Sequence, residues 1–523
     1  MMNALAELPS LEPGYDQGRE NFEHIVRYLD SEEASSMSHS DLERELEKRG
    51  RELMRILLQE HLEARAAGQC EQPVRGADGV ERPRSRLQER KLETVFGAVS
   101  VKRVGYSREG TESLHPLDAE LNLPDERYSL ELRRRVAEEA AKSSFDDTLE
   151  SIHKTTGGHV PKRQIEELVM RAARDFDAFY EMRQGKPSVG EQESSIVVIS
   201  VDGKGVVMRR QDLREQTRKA AMEREHKMGA RLSRGEKKNA KRMATVATVY
   251  TIAPFVREPE DLVAESNSTR AGPPRPRPEQ KRVWASLEKP PKEVIEEVFK
   301  EASCRDPEGK KKWVALVDGN KSQLRNLRRI AKDKGIDLTI IVDIIHVIEY
   351  LWDAGRAFYP EAGSELENWV RRRLLEILRG KAGYVAGGMR RSATLRHLLC
   401  AERKPVDACA NYLLTYAPYL RYNHYLAQGF PIATGVIEGA CRHLVKDRME
   451  VTGARWSLSG AEAVLRLRAL RSSHDFDEYW TFHERKEYER NHRSLYANGI
   501  VPKTFKPRKL PQTRKRKHLK AVK

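Results

Sequence analysis

Cysteine is scarce. Cys70, Cys304, Cys400, Cys409 and Cys441 are the only five in 523 residues, and no two stand at a paired spacing. That scatter makes neither a disulfide framework nor a zinc knuckle and fits a reducing, cytoplasmic setting. No apolar run approaches 18 residues, and no basic-then-apolar segment opens the chain, so neither a membrane span nor a secretory signal is expected. Aromatic residues make up 7% of the chain. That is sparse for the sugar-stacking walls of a glycosidase built on paired acids, a chemistry in which basic excess would have no role. The tail from Lys503 to Lys523 lacks acidic residues altogether and carries ten basic ones.

What is present is positive charge. The formal balance is +16, from 95 Lys and Arg against 79 Asp and Glu. Such an excess points to a polyanionic partner, nucleic acid first. It is also concentrated: residues Arg209 to Arg242 hold 13 basic and 5 acidic side chains. Lys237, Lys238, Lys241 and Arg242 in that segment are the expected phosphate contacts, with a solvated linker as the plainer alternative. The length allows two to four domains and a sizeable core despite 39% hydrophobic content.

Three apolar runs each deliver an aspartate. IVVISVDGKG (Ile196 to Gly205) leads to Asp202, WVALVDGN (Trp313 to Asn320) to Asp318, and LTIIVD (Leu338 to Asp343) to Asp343. Gly203 and Gly205 are expected to turn the chain sharply after Asp202, with a return strand beginning at Val206. Continuous rather than alternating apolar character implies strands covered on both faces, and the ends of such strands are where ligands sit in open α/β sheets. Strands Thr245 to Ile252 and those around Asp318 and Asp343, with helices near Val294 to Ala302 and Ser322 to Lys334, describe a mixed α/β sheet of the ribonuclease-H kind.

The remaining chain divides by texture. Residues 1–68 are helical in pattern; 69–125 read as a small β-hairpin region around Gly97; 126–184 have a helix-turn-helix cadence. There Phe145, Leu149 and Ile152 face inward, Gly157 and Gly158 supply the turn, and Lys162, Arg163 and Gln164 open the second helix, where recognition helices present side chains to DNA. An ordinary helical hairpin has the same look. The first part of the ribonuclease-H-like core spans 193–346, and 257–280 reads as an exposed loop. An all-helical insertion fills 347–430, the core is completed over 431–495 with a helix bearing Glu438, and a basic tail spans 496–523.

Phosphoryl transfer on DNA must neutralise charge on the attacking and leaving oxygens together, which two divalent cations held by carboxylates achieve. Magnesium binds through few protein carboxylates and keeps waters, so three acids suffice. Asp202, Asp318 and Glu438 meet that need, spaced 116 and 120 residues apart. Each has a plainer reading: Asp-Gly at a strand end is a common turn former, and Glu438 alone can be an exposed helical acid. Glu438 lies in the uncharged stretch PIATGVIEGA, where a buried carboxylate would need a metal or a base. Glu438, Arg442 and Lys446 are expected on one helix face.

The ordered blocks VDGKGVVM, GEKKNAKRMATVATVY, RPRPEQKRVWASLEKPP, WVALVDGN, DIIHVIEYLW, TGVIEGACRHLVKDRMEVTGARWS and AVLRLRALRSS closely resemble the ISKra-type bacterial insertion-sequence transposases, distant relatives of the Mutator-like group. The resemblance is near full length and strongest from Ile196 to His492. It implies a ribonuclease-H-like core interrupted by a helical insertion, a DDE triad falling on Asp202, Asp318 and Glu438, and a nucleoid-associated bacterial protein. The larger group's Cys-or-Asp, two residues, His signature falls on Asp343 and His346, and His346 would contact a phosphate or orient a nucleotide, with a core or capping histidine as the plainer alternative. Arg442, Lys446, Arg448 and Arg455 would clamp scissile phosphates, and Trp456 would stack on a flipped base or, alternatively, fill a helical core. The expected function is Mg²⁺-dependent cleavage and strand transfer with two ions, Mn²⁺ as a substitute, on terminal inverted repeats and target DNA by a homodimer or larger assembly. A nuclease or resolvase without strand transfer and a non-catalytic DNA-binding derivative are the alternatives.

Overall fold

The computed structural model describes residues 15–65, 67–184, 195–222, 240–263, 275–361 and 363–505. The chain divides into two compact units, residues 1–172 with 480–523, and residues 173–479.

In the first unit, β1 (Gln69–Cys70) pairs with a short strand at Thr504–Phe505. β2 (Arg84–Thr94) and β3 (Gly97–Ser107) form an antiparallel hairpin. The long helix His39–Ala64 packs on β3. Its Leu62 joins Leu92, Val99, Val101, Leu117 and Leu123 in one apolar cluster. Helices Phe145–Thr155 and Lys162–Ala172 bury Ile152, Ile165, Leu168 and Val169, the periodic apolar positions of the sequence. The first of the two starts at a capping box, with Ser144 and Asp147 each satisfying the other's backbone N–H. Between the helices, Gly157 is needed for clearance rather than for a left-handed turn. A Cβ there would stand 2.3 Å from the Phe96 carbonyl oxygen at the hairpin tip.

The second unit is mixed α/β, built on five strands: β4 (Ile196–Val207), β5 (Lys241–Ile252), β6 (Glu279–Ser286), β7 (Lys312–Val317) and β8 (Leu338–Val342). Their order is β6-β5-β4-β7-β8. β5 is antiparallel to both β6 and β4, and β7 and β8 run parallel to β4. Every residue from Ile196 to Val201 is buried, so both faces of the central strand are covered. Burying each of its aliphatic side chains contributes about 1.5–3 kcal/mol. Helix Pro291–Arg305 packs on β4 and β5, and helix Leu458–Ser472 on β6.

Two expectations need correction here. The chain does not turn after Asp202: Gly203 and Gly205 continue β4, opposite Thr245 and Met243 of β5, because the partner strand extends that far. The segment expected as a loop up to residue 280 includes the start of β6, whose first three residues are exposed and whose last five are buried.

After β8 come helices Ile344–Arg356, Ser364–Leu378, Ala382–Leu395, Cys400–Thr415 and Tyr422–Ala427. Phe358, Trp369, Ile377 and Leu378 are core residues of this set. Among the described residues no helix is long and apolar enough to cross a membrane.

Candidate functional site

Parallel pairing puts three aspartates at the same end of neighbouring strands. Ser200 of β4 lies beside Leu316 of β7, and Val317 beside Val342 of β8. Two residues past Ser200 and Leu316, and one past Val342, come Asp202, Asp318 and Asp343. Asp343 is fully buried and caps helix Ile344–Arg356, accepting from the Ile345 N–H at 3.0 Å. It also accepts from the Thr434 N–H at 3.2 Å and from the Thr434 hydroxyl.

Thr434 precedes helix Gly435–Ala440, which carries Glu438. Its Oγ1 lies 3.4 Å from Glu438 Oε1. Carboxylate or imidazole atoms of Asp343, His346 and Glu438 all fall within 4.8 Å of one another. Asp202 and Asp318 do not join a group that tight. Asp202 accepts the Cys441 thiol at 3.1 Å, three residues beyond Glu438. Asp318 lies near enough to both Asp202 and His346 to feel their charge.

Glu438 is exposed, so the expected cost of a buried carboxylate does not arise there. The following segment, Cys441–Lys446, is a π-helix. π turns are rare and cluster at functional sites, and they remove the i, i+4 alignment expected for Glu438, Arg442 and Lys446. Arg442 and Lys446 are exposed, with Arg442 Nε 3.6 Å from Asp447.

The loop after β7 is held from outside the sheet. Asp318 Oδ1 accepts the Asn320 N–H at 2.9 Å, and Gly319 adopts φ +94°, a conformation that favours glycine. From helix Cys400–Thr415 and the turn after it, the Tyr412 hydroxyl donates to the Asp318 carbonyl at 3.3 Å and the Tyr416 hydroxyl to that of Gly319. Tyr412 stacks on Tyr350, ring centroids 4.3 Å apart. The Tyr422 hydroxyl donates to the Val342 carbonyl at 2.7 Å, immediately before Asp343. Sequence reasoning missed Tyr412, Tyr416, Tyr422 and Thr434. Only Thr434 had a local signal, as the polar residue four positions before Glu438.

Electrostatically the site is unbalanced. Burial, then the Asp202 charge, push Asp318 above the usual carboxylate range against the opposing pull of the Asn320 N–H and His346. For His346, burial opposes the imidazolium, but Glu349, at 3.0 Å, and the Asp343 and Asp318 carboxylates outweigh it and raise its pKa. Burial and Asp202 push the Cys441 thiol up, so it stays protonated and donates. Among the described residues, no Lys or Arg forms an ion pair with Asp202, Asp318, Asp343 or Glu438. Four carboxylates gathered with no Lys or Arg paired to them favour an added cation. Carboxylate oxygens are the donors of hard divalent cations.

The other expected site residues are placed elsewhere. Lys162 and Arg163 are exposed at the start of their helix in the first unit, with Lys162 2.7 Å from Asp146, Arg163 3.3 Å from Glu167 and Gln164 3.0 Å from Glu167. Lys237 and Lys238 lie outside the described residues, as does most of the basic tail. Lys241 lies 3.6 Å from Glu450. Arg242 is half-buried and donates to the Leu287 and Asp212 carbonyls at 2.8 and 3.1 Å, which makes it a strut. Arg455 is exposed. Trp456 is not a base-stacking platform. It is buried, its indole N–H donates to the Met449 carbonyl at 3.1 Å, and its backbone pairs with Met208 beyond β4.

No protein-family model matches the chain, and no curated protein sequence matches it.

Proposed function

We propose that the chain is a metal-dependent DNA transposase of the insertion-sequence kind, with a ribonuclease-H-like core in the second unit. The observation that carries this reading is the gathering of Asp202, Asp318, Asp343 and Glu438 at one end of the sheet with no Lys or Arg paired to them. The strand order, three antiparallel strands followed by two parallel to the first, supports the fold assignment. So does a helical segment between β8 and the Glu438 helix.

Asp202, Asp318 and Glu438 would hold two Mg²⁺ ions, with Asp343 and His346 beside them. Ions held by these carboxylates would supply the positive charge that offsets the attacking and leaving oxygens of a phosphodiester. Thr434 holds Asp343 and steers Glu438, the two tyrosines fix the Asp318 loop, and His346, with its raised pKa, presents a proton to a phosphate oxygen. In this reading the Lys162 helix and the basic segments bind the element's terminal inverted repeats and target DNA. Bringing two ends together calls for a dimer or larger assembly.

Metal-dependent nicking of DNA carrying the element's ends tests the proposal. Asp202→Asn, Asp318→Asn and Glu438→Gln are each expected to reduce cleavage in Mg²⁺ or Mn²⁺ about a thousandfold, some 4 kcal/mol of barrier, with end binding within a few-fold of wild type. Near-wild-type cleavage by any one removes that residue from the site. Joining of a pre-cleaved 3′ end distinguishes a transposase from a nuclease that only cuts.

A further inference from the structure

The helix Lys321–Lys334 starts immediately beyond the Asp318 loop, capped by Asn320. It buries Leu324, Leu327, Ile330 and Ala331 against the unit and turns Lys321, Arg325, Arg328, Arg329 and Lys332 to solvent. Among the described residues none of these five cations is paired with a carboxylate. Exposed cations elsewhere commonly are: Arg163 with Glu167, Arg356 with Asp353, Lys154 with Glu150. The five line a groove of about 550 Å³ whose other wall is Thr415, Tyr416 and Tyr419. Arg328 lies over the half-exposed Tyr419 ring, 4.8 Å from its centroid. Tyr416, in the same wall, is the residue that holds Gly319 beside Asp318.

We infer that this groove is a track for a single nucleic-acid strand running from the acid cluster, phosphates on the Lys321–Lys334 helix and a base stacked on Tyr419. The inference rests on the nuclease reading of the acids and adds the path of the strand. Uncompensated positive charge along one wall suits a phosphodiester backbone, since each contact releases a condensed counterion. An aromatic face on the other wall takes any unpaired base and has no use for one already stacked in a duplex. A guanidinium over that ring adds a second planar surface. The groove belongs to none of the segments whose sequence suggested DNA contact, because its cations are spread at helical spacing instead of clustered in a run.

The test measures binding of the full chain to a labelled oligothymidylate of about 20 nucleotides, long enough for any single-strand site of ordinary size, and to a duplex of equal length. Both are titrated in EDTA across a range of salt. Replacing Arg325, Arg328, Arg329 and Lys332 together by Ala should weaken single-strand binding at least about tenfold. It should also lower the slope of log Kd against log salt by about 3, near 0.7 for each cation lost. Tyr419→Ala should weaken single-strand binding about five- to tenfold and leave the salt slope unchanged. All five substitutions are at exposed or half-exposed positions. Should the Ala variant melt lower than wild type, a Gln variant at the same four positions takes its place.

A variant that binds the single strand as wild type does, with the same slope, overturns the inference. If wild type then still nicks DNA in Mg²⁺, the reading of the acids stands alone. Equal losses for strand and duplex with Tyr419→Ala silent overturn the single-strand assignment in favour of a duplex surface. A wild-type chain that neither binds DNA nor nicks it overturns both.

Discussion

Glu301 and Asp318 are carboxylates of one unit whose surroundings drive them in opposite directions. Glu301 lies between two guanidiniums, Arg282 and Arg305, the latter 2.8 Å away. Burial works against its charge, but the two arginines outweigh it and hold the carboxyl down at about 2. Arg282 is itself sandwiched, 3.4 Å from the Tyr180 ring centroid and 4.5 Å from that of Trp284. Asp318 has no such partner: burial and the neighbouring Asp202 raise it. One acid is complete within the protein and the other is left short of positive charge. Arginines balance Glu301 and none is paired at the sheet end, which under the proposed function is where a cation from outside would bind.

The sharpest way to break that comparison is stability. Glu301→Ala strands two buried guanidiniums and should cost about 3–5 kcal/mol. Asp318→Asn removes repulsion and should leave the metal-free melting temperature unchanged or higher. Thermal unfolding in EDTA measures both. If Asp318→Asn destabilised as much as Glu301→Ala, the sheet end would be a structural network like the other.

The pH dependence sharpens it further, because the two signs oppose. With its pKa lowered to about 2, Glu301 gives stability that is present above the ordinary carboxylate value and is lost as pH falls toward about 2. The gap between wild type and Glu301→Ala should therefore shrink on acidification from about pH 4.5. With its pKa raised, Asp318 contributes favourably below the ordinary value, and that contribution is lost as pH rises through its folded pKa. Asp318→Asn should gain on wild type as pH climbs from about 4, and added Mg²⁺ should cancel the gain. Melting curves against pH, with and without metal, read both trends.

How much of this was legible depends on how local each signal is. The apolar runs at Ile196, Trp313 and Leu338 are strands because both faces are covered, and continuous β-branched residues say so without their partners. The helical hairpin was readable from its period. β6 was not, because its exposed first half, Glu279 to Lys281, continues the charged, proline-rich stretch before it and only its buried half looks like a strand. The false turn at Gly203 has the same origin: whether a glycine bends or extends depends on how far β5 runs alongside. At the site, strand-end aspartates were visible as a pattern, and the register of parallel strands aligns them. The tyrosine clamps on Asp318 and Gly319 come from a helix and the turn after it, 94 and 97 residues on, at no spacing related to the acid, so nothing in the chain announces them. The π turn after Glu438 is likewise a product of packing.

The smallest expected effect tests whether a protein donor can take part of the load that Glu301 places on arginines. Cys441 is buried, and burial together with Asp202 raises its thiol pKa, so the group stays neutral and its S–H points at Asp202 Oδ2 across 3.1 Å. A thiol is a weak donor and can offset little of a carboxylate's charge. Cys441→Ala should therefore cost only about 0.5–1 kcal/mol at Asp202. That corresponds to about a two- to fivefold slower nicking rate at subsaturating Mg²⁺, largely restored when metal is saturating. Cys441→Ser, which keeps a donor, should fall between Ala and wild type. A loss from Cys441→Ala as deep as that from Asp202→Asn, and not relieved by metal, would mean that the thiol itself supports Asp202 the way the two guanidiniums support Glu301. The contrast between a site completed by the protein and one completed by an outside cation would then fail at Asp202.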